Sequence, residues 1–151
     1  MTDPVIPSAG YFRGRLHILP VRIYYEDTDF SGMVYHANYL RYFERGRSDV
    51  LRLLGVAHTE LAARPEPLAF TVRRIEVEYL SPARIDDALE VRSEWHEAKG
   101  ARFRVRQEVY RGEERLASAK LEVACIGLDG RPRRIPQDLI AAFEKYLAAT
   151  P

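Results

Sequence analysis

The segment from Tyr24 to Leu54 places the strongest constraint on the fold, because a polar turn leads directly into a long helical pattern. At about 100° per residue, one narrow arc of that helix is apolar, and Leu40 and Leu51 widen the arc to nearly half of the circumference. The residues of the narrow arc are Tyr39, Tyr42, Phe43, Gly46, Val50, Leu53 and Leu54. The pattern predicts a helix from about His36 to Leu54 that ends at Gly55 and is covered by other parts of the chain on more than one side.

The charged residues of this helix fall on two faces. Most lie opposite to the apolar arc, where Arg45 and Asp49 have the i,i+4 spacing of a modest surface ion pair. Arg47 instead lies inside the apolar arc, so its charge requires a partner, and Glu44 is the nearest candidate. We expect the pair of Glu44 and Arg47 to be structural.

The turn before the helix contains two acids, Asp27 and Asp29, followed by Gly32. Glycine tolerates backbone angles that other residues avoid, which is typical of a turn. An exposed, ionised carboxylate can act as a general base on water or as a nucleophile towards an acyl group, and Asp29 is our candidate for that role. Asp27 would point to the other side of a continuing strand and fits a turn or capping acid. Without the residues that follow, a solvated surface turn would be the better explanation of both acids.

The start of the predicted helix supplies a second chemical feature. Free backbone N–H groups at a helix N-terminus can bind the oxyanion that develops during acyl transfer. The side chain of His36 would either assist proton transfer or serve as a hydrogen-bonding cap. Tyr35 and Asn38 would either order the site or contact a second subunit.

The run D-T-D-x-x-G-x-V-Y-H-x-N-Y-L-x-Y-x-E-x-x-R, which begins at Asp27, resembles the signature of hot-dog-fold acyl-CoA thioesterases of the 4-hydroxybenzoyl-CoA thioesterase type. Within that family it is most similar to the short bacterial acyl-CoA thioesterases associated with the Tol-Pal envelope system. The likeness continues through Tyr79 to Val91 and Gly130 to Pro136. It therefore covers roughly Val21 to Pro136, and its central motif is the most specific part.

The resemblance implies an acyl-CoA thioester hydrolase that releases a free acid and coenzyme A. Asp29 would be the catalytic carboxylate, and the amide of His36 would polarise the thioester carbonyl. Coenzyme A is then part of the substrate, and no cofactor is expected. The residues that the motif places near the substrate are Gly32, Val34, Tyr35 and Asn38. The same fold could also serve as a non-catalytic module that binds acyl thioesters or proteins of envelope and lipid metabolism.

Two groups of arginines could bind the phosphates of coenzyme A, because guanidinium binds phosphate oxygens with two parallel hydrogen bonds. The first group is Arg131, Arg133 and Arg134, for which we predict a nucleotide role, with contact to a protein partner as the alternative. The second group is Arg102, Arg104 and Arg106 on one strand face. There, pairing with Glu90, Arg92 and Glu94 across a solvated sheet is the better explanation.

Composition narrows the class of protein. The 151 residues suit one domain with its own core, and 23 basic against 22 acidic residues, a net charge of +1, give no general reason to expect nucleic-acid binding. A single cysteine, Cys125, excludes an intrachain disulfide and fits a reducing compartment. The chain has no stretch of about 20 apolar residues and no signal-peptide core, so we expect a cytoplasmic protein without a membrane span. The four histidines have no paired spacing, so no metal site is predicted.

The rest of the chain predicts an α+β domain. Residues 1–14 are expected to form a flexible arm, and residues 15–151 a single domain. A strand from Leu16 to Tyr25 precedes the acids, and a short helical turn is expected between Ala57 and Pro67. The later strand patterns cover residues 68–80, 89–96, 103–109 and 116–126.

The links at 98–100 and 111–114 are too short for parallel crossovers, so these four strands are predicted to form an antiparallel meander with one solvated face. A change of parity near Arg73 predicts a bulge in the first of them. An amphipathic helix is expected from Pro136 to Leu147.

A sheet that wraps one long helix is what the hot-dog resemblance implies. Small hot-dog domains are similar in having active sites at a dimer interface, so we expect a homodimer, or a homotetramer built from dimers. Acyl carrier protein and enzymes of envelope lipids are further candidate partners.

Overall fold

The computed structural model describes residues 2–7, 9–96 and 99–148. The strands are β1 (Tyr11–Arg13), β2 (Leu16–Arg22), β3 (Leu68–Tyr79), β4 (Ala88–His96), β5 (Arg102–Arg111), β6 (Glu114–Gly127) and β7 (Leu147–Ala148). The helices are α1 (Asn38–Leu53), α2 (His58–Ala62) and α3 (Gln137–Phe143). None of the helices in the described ranges is long and apolar enough to cross a membrane.

Within the described residues, seven strands form one sheet in the order β1-β2-β4-β5-β6-β3, with β7 paired in parallel to β4. The inner face of this sheet buries alternate residues against α1. In β4 these are the apolar Leu89, Val91 and Trp95 and the polar Ser93. The outer positions of β5 are mostly exposed. The predicted α+β arrangement of a half-solvated sheet around one long helix is confirmed.

The predicted order of the strands is partly wrong. Strands β4, β5 and β6 do form an antiparallel meander, but β3 pairs with β6 at the far edge, and β4 pairs with β2. The short links constrain only the pairs β4–β5 and β5–β6, and one of these links includes Ala98, a residue outside the described ranges. The links do not constrain β2, which pairs with β4 and so takes the position that was predicted for β3.

Helix α1 packs close to the sheet. An added Cβ at Gly46 would lie 3.1 Å from Gln107 Nε2 and 3.2 Å from Ser93 Oγ, so the absence of a side chain allows this close approach. The helix begins at Asn38 rather than His36 and is followed by Gly55, whose φ of 77° is the left-handed conformation expected of a helix stop.

Arg47 is buried within the apolar arc, as predicted. Its guanidinium donates to Glu44 Oε2 at 2.5 Å and to the buried Gln107 Oε1 at 2.9 Å. The predicted surface pair of Arg45 and Asp49 is wrong. Asp49 is only 3% exposed, and its Oδ2 lies 2.7 Å from His17 Nε2, because β2 covers this side of the helix.

The described segments near the two ends of the chain differ from their predicted structure. Strand β1 pairs with β2 from Tyr11 onward, so paired structure begins inside the predicted arm of residues 1–14, in which Met1 and Ser8 lie outside the described ranges. Helix α3 ends at Phe143 instead of continuing to Leu147. Pairing of β2 with β4 ends at Ser93, and Leu147 occupies the vacant edge position beside Trp95.

Strand β3 forms an edge of the sheet. Its register against β6 shifts between Val72 and Arg74, which confirms the predicted bulge. No strand in the described part of the chain pairs with its outer edge. Val72, Ile75 and Tyr79 on this strand are exposed, which leaves an apolar edge open to a partner.

Candidate active site

The candidate site is a loop that joins β2 to the start of α1. After β2 the chain makes a short 3-10 turn at Tyr25–Asp27 and then a tight reversal held by an isolated bridge between Thr28 and Val34. A second bridge joins Met33 to Arg84 in the link between β3 and β4. The first bridge closes the loop on itself, and the second ties it to the body of the domain.

Asp27 holds this loop together. Its carboxylate accepts a hydrogen bond from the Tyr24 amide at 2.8 Å, and its carbonyl accepts from the Tyr35 amide at 3.0 Å and from Asn38 Nδ2 at 2.8 Å. The prediction of a capping acid at Asp27 is confirmed. Asn38, the first residue of α1, orders the loop through the same carbonyl.

Asp29 lies at the exposed tip of the loop. Its Oδ1 accepts hydrogen bonds from both the amide (2.8 Å) and the hydroxyl of Ser31, whereas Oδ2 has no partner among the described residues. The Ser31 hydroxyl, then the Ser31 amide, and to a smaller extent the nearby His36 hold the pKa of Asp29 below its ordinary value. The carboxylate is therefore ionised at neutral pH and presents one free oxygen.

The reversal at the tip depends on Gly32. Its φ of 79° is unfavourable for residues with a Cβ, and its amide donates to the Asp29 carbonyl at 3.0 Å. Gly32 therefore shapes the loop that presents the Asp29 carboxylate.

His36 lies two residues before the start of α1 and is exposed. No acceptor in the described part of the chain binds its backbone N–H, so this amide is free to bind a ligand oxygen. Its carbonyl accepts a hydrogen bond from Tyr79 Oη at 2.9 Å. The imidazole contacts the ring of Tyr35, with centroids 4.6 Å apart. Tyr35, His36 and Asn38 thus lie in the same loop as Asp29, and His36 is near enough to contribute to the lowered pKa of Asp29.

Val34, unlike the residues on either side of it, has a buried side chain. It is buried in the core, and its amide donates to the Ala83 carbonyl at 2.9 Å. In a single chain it anchors the loop rather than facing the free oxygen of Asp29.

The arginines of residues 131–134 lie far from this loop within one chain. Tyr79, which reaches His36, pairs with Ala117, whereas the other end of the same ladder pairs Leu68 with Gly127, close to this segment. At about 3.3 Å per residue the two ends of the ladder are roughly 35 Å apart. Arg133 also binds Asp129 at 3.1 Å, while Arg131 and Arg134 are exposed.

The solvated face predicted for the arginines of β5 is confirmed, but their ion-pair partners differ from the predicted ones. Arg102 pairs with Glu122 at 3.2 Å and Arg106 approaches Glu108 at 3.7 Å, whereas Glu94 only lies opposite Arg106 in the register of the sheet. Nowhere in residues 2–7, 9–96 and 99–148 do three or more His, Cys, Asp or Glu side chains gather in a way that could hold a metal ion.

Comparison with known proteins adds an independent finding. A family profile described as the thioesterase-like superfamily matches residues 24–143, which include the loop, α1 and most of the sheet. The chain belongs to the thioesterase-like superfamily. The resemblance and the hot-dog fold expected from the sequence motif are thereby confirmed.

Several known proteins are similar to this chain over nearly their whole length. An acyl-CoA thioester hydrolase named YbgC from Escherichia coli O6:H1 is 40% identical over 128 residues, which cover 83% of this chain and 94% of the relative. An acyl-CoA thioesterase named YbgC from Haemophilus influenzae is 42% identical over 125 residues, covering 82% of this chain and 91% of the relative. The crystal structure of a probable thioesterase from Bartonella henselae has a TM-score of 0.78 and 46% identity, covering 80% of this chain and 99% of that chain.

Sequence reasoning missed two residues of the candidate site in this superfamily member. Ser31 was recognised only as part of a turn, although an Asp-x-Ser spacing favours local side-chain to backbone hydrogen bonds and could have indicated its contact with Asp29. Tyr79 is more than forty residues from His36 in sequence. No local signal could have linked the two, because their contact depends on where β3 lies in the sheet.

Proposed function

We propose that this chain hydrolyses acyl-CoA thioesters to a free acid and coenzyme A. The observation that carries the proposal is that one loop ahead of α1 holds both an exposed, ionised Asp29 and a His36 amide that has no acceptor among the described residues. Membership of the thioesterase-like superfamily supports the reaction type, and relatives of at least 40% identity that bear the names of acyl-CoA thioester hydrolases support the substrate class.

The geometry supplies both groups that hydrolysis requires. Oδ2 of Asp29 either removes a proton from water as the water oxygen attacks the thioester carbon, or attacks that carbon itself to form a mixed anhydride that water then hydrolyses. In both routes the His36 N–H stabilises the oxyanion, the carbon–sulfur bond breaks, and coenzyme A leaves as a thiolate that takes up a proton. Neither route needs a cofactor.

We propose further that the active unit is a homodimer formed through β3, alone or as half of a tetramer. The free outer edge of β3 offers unpaired backbone groups and the exposed Val72 and Ile75. Antiparallel pairing of β3 with a second copy about a two-fold axis would bring the end of the strand near residue 68 of one subunit beside the end near Tyr79 of the other. Arg131, Arg133 and Arg134 would then approach the site of the partner subunit and could bind the nucleotide of coenzyme A.

The cytoplasm is the compartment that we propose, because the lone Cys125 is buried as a free thiol. A thioester of acyl carrier protein is an alternative acyl donor for the same site. The acyl group itself is left open, since the tyrosines around His36 fit aryl and alkyl chains alike.

Turnover of acetyl-, aryl- and long-chain acyl-CoA, followed with a thiol-detecting reagent, tests the proposed activity. Asp29→Asn keeps the shape of the side chain but removes its charge and basicity, so turnover should fall by about 10²–10⁴-fold or more while substrate still binds. Asp27→Asn is the matched control, because an amide oxygen can still accept the Tyr24 N–H. It should slow the reaction much less.

Two results would contradict the mechanism. If Asp29→Asn keeps near-native turnover while Asp27→Asn abolishes it, Asp27 is the catalytic acid. If the wild-type protein binds these thioesters without releasing thiol, the domain is a binding module.

A further inference from the structure

Tyr79 reaches the candidate site from a different part of the fold. It is the last residue of β3, and its hydroxyl donates a hydrogen bond to the His36 carbonyl at 2.9 Å. The ring makes an edge contact with Tyr39 of α1, with centroids 5.4 Å apart, and the Tyr39 hydroxyl in turn accepts from the Ala83 amide at 3.1 Å. Packing against α1 therefore fixes the direction in which the Tyr79 hydroxyl points.

The hydrogen bond acts on the peptide group that starts the helix. The His36 carbonyl shares its peptide plane with the amide of Ala37, so a donor to the carbonyl fixes the orientation of that plane and polarises the group. Within the described ranges, neither the His36 amide nor the Ala37 amide donates to another protein group.

We propose that Tyr79 is a positioning residue of the thioesterase site. Its hydroxyl anchors the His36–Ala37 peptide and, through the His36 Cα that joins this peptide to the one before it, holds the His36 N–H in place for the developing oxyanion. This inference rests on the proposed function, since it assigns the oxyanion to the His36 amide. A rigid donor lowers the barrier more than a mobile one because no reorganisation is needed as the charge develops. Burial raises the pKa of Tyr79, which keeps the hydroxyl protonated and able to donate.

Tyr79→Phe tests the role because it removes the hydroxyl and keeps the ring. We expect kcat to fall by about 5- to 20-fold, the usual consequence of losing one neutral hydrogen bond that matters mainly in the transition state, while KM stays within about twofold. The ¹⁵N and ¹H resonances of the Ala37 amide should shift, because that amide shares the depolarised peptide group. The midpoint of denaturation should not change.

Tyr110→Phe is the matched control. Tyr110 lies on β5, where its ring stacks with Arg92 at 3.8 Å and its hydroxyl makes no hydrogen bond to the described residues. This variant should leave kcat, KM and the Ala37 resonances unchanged.

Asp29→Asn in the same assay separates the two proposals. If Asp29→Asn abolishes turnover and Tyr79→Phe does not reduce it, only the role of Tyr79 is overturned. A Tyr79→Phe variant that loses stability, or raises KM as much as it lowers kcat, shows a purely structural tyrosine and also overturns the inference. Should both Asp29→Asn and Asp27→Asn remain active, the proposed function fails and the role of Tyr79 fails with it.

Discussion

Ser31 sets the state of the catalytic candidate. Asp29 is fully exposed, so its lowered pKa is due to direct hydrogen bonds from Ser31 and not to a buried charge. A more acidic carboxyl is a weaker base, but it is ionised over the whole neutral range, and binding of Oδ1 to Ser31 leaves Oδ2 free to react. The hydrogen bonds from Ser31 therefore lower the basicity of Asp29 but keep its carboxylate ionised and fixed at the tip of the loop.

Ser31→Ala should raise the pKa of Asp29 towards its ordinary value of 3.8. The hydroxyl bond, which is the largest cause of the shift, disappears, while the amide bond remains. A carboxyl group with a depressed pKa stays ionised until the pH falls through that depressed value. On acidification, the Asp29 carboxylate should therefore begin to take up a proton at a higher pH in the variant than in the wild-type protein. The carboxyl ¹³C titration of Asp29 measures it. Ser118→Ala on β6 is the control, and an unchanged titration in Ser31→Ala would show that the amide alone sets the pKa.

Helix α1 is attached to the sheet by polar contacts as well as apolar ones. Gln107 of β5 accepts from Arg47 and donates to the Phe43 carbonyl and to Ser93 Oγ, each at 2.9 Å. Glu44, the other partner of Arg47, has a side chain that is 54% exposed. The buried half of this network therefore depends on Gln107, and the pair with Glu44 is screened by water.

The losses in the free energy of unfolding caused by Glu44→Ala and by Gln107→Ala test this arrangement. Glu44→Ala should lower the free energy of unfolding by only about 1–2 kcal/mol, because Gln107 still binds the Arg47 guanidinium. With Glu44 as the sole partner, the loss would be about 3–5 kcal/mol. Gln107→Ala should cost about 2–4 kcal/mol, since it creates a cavity and strands buried groups of Arg47 and Ser93. Denaturant unfolding measures both, and a larger loss for Glu44→Ala would contradict the assignment.

At the scale of the whole molecule, the edge of the sheet formed by β3 has no pairing partner among the described residues. Most strands in the described residues have neighbours on both sides over much of their length, but β3 exposes twelve residues of edge with apolar side chains at Val72, Ile75 and Tyr79. A long apolar edge promotes association unless another strand covers it. Pairing of two copies at this edge would cover it and place two candidate sites at the same interface.

Light scattering at micromolar concentration should therefore give at least a dimer mass. Ile75→Glu should shift the population towards monomer, because two copies would bring like charges onto the same edge. Turnover should fall with dissociation if each site needs both chains. Ile6→Glu, at an exposed position in the N-terminal segment, should change neither property. A monomer mass for the wild-type protein throughout that range would rule out a shared site.

Local patterns predicted the elements well. The apolar arc of α1, its stop at Gly55, the bulge near Arg73 and the hairpins of β4, β5 and β6 all follow from side-chain periodicity or turn chemistry over a few residues. The burial of Arg47 and its contact with Glu44 were predictable for the same reason, because helix geometry fixes the spacing. Asp29 was found through a contiguous motif.

Only the tertiary structure decided the contacts between distant segments. Asp49 is buried because β2 covers it, β3 lies beside β6 because β2 occupies the place next to β4, and Tyr79 meets His36 because that edge passes the start of α1. The sequence by itself determined the α+β elements, the loop that carries Asp29 and the superfamily, since each depends on neighbouring residues. The order of the strands, and with it the partners of the site, depended on how those elements share one core.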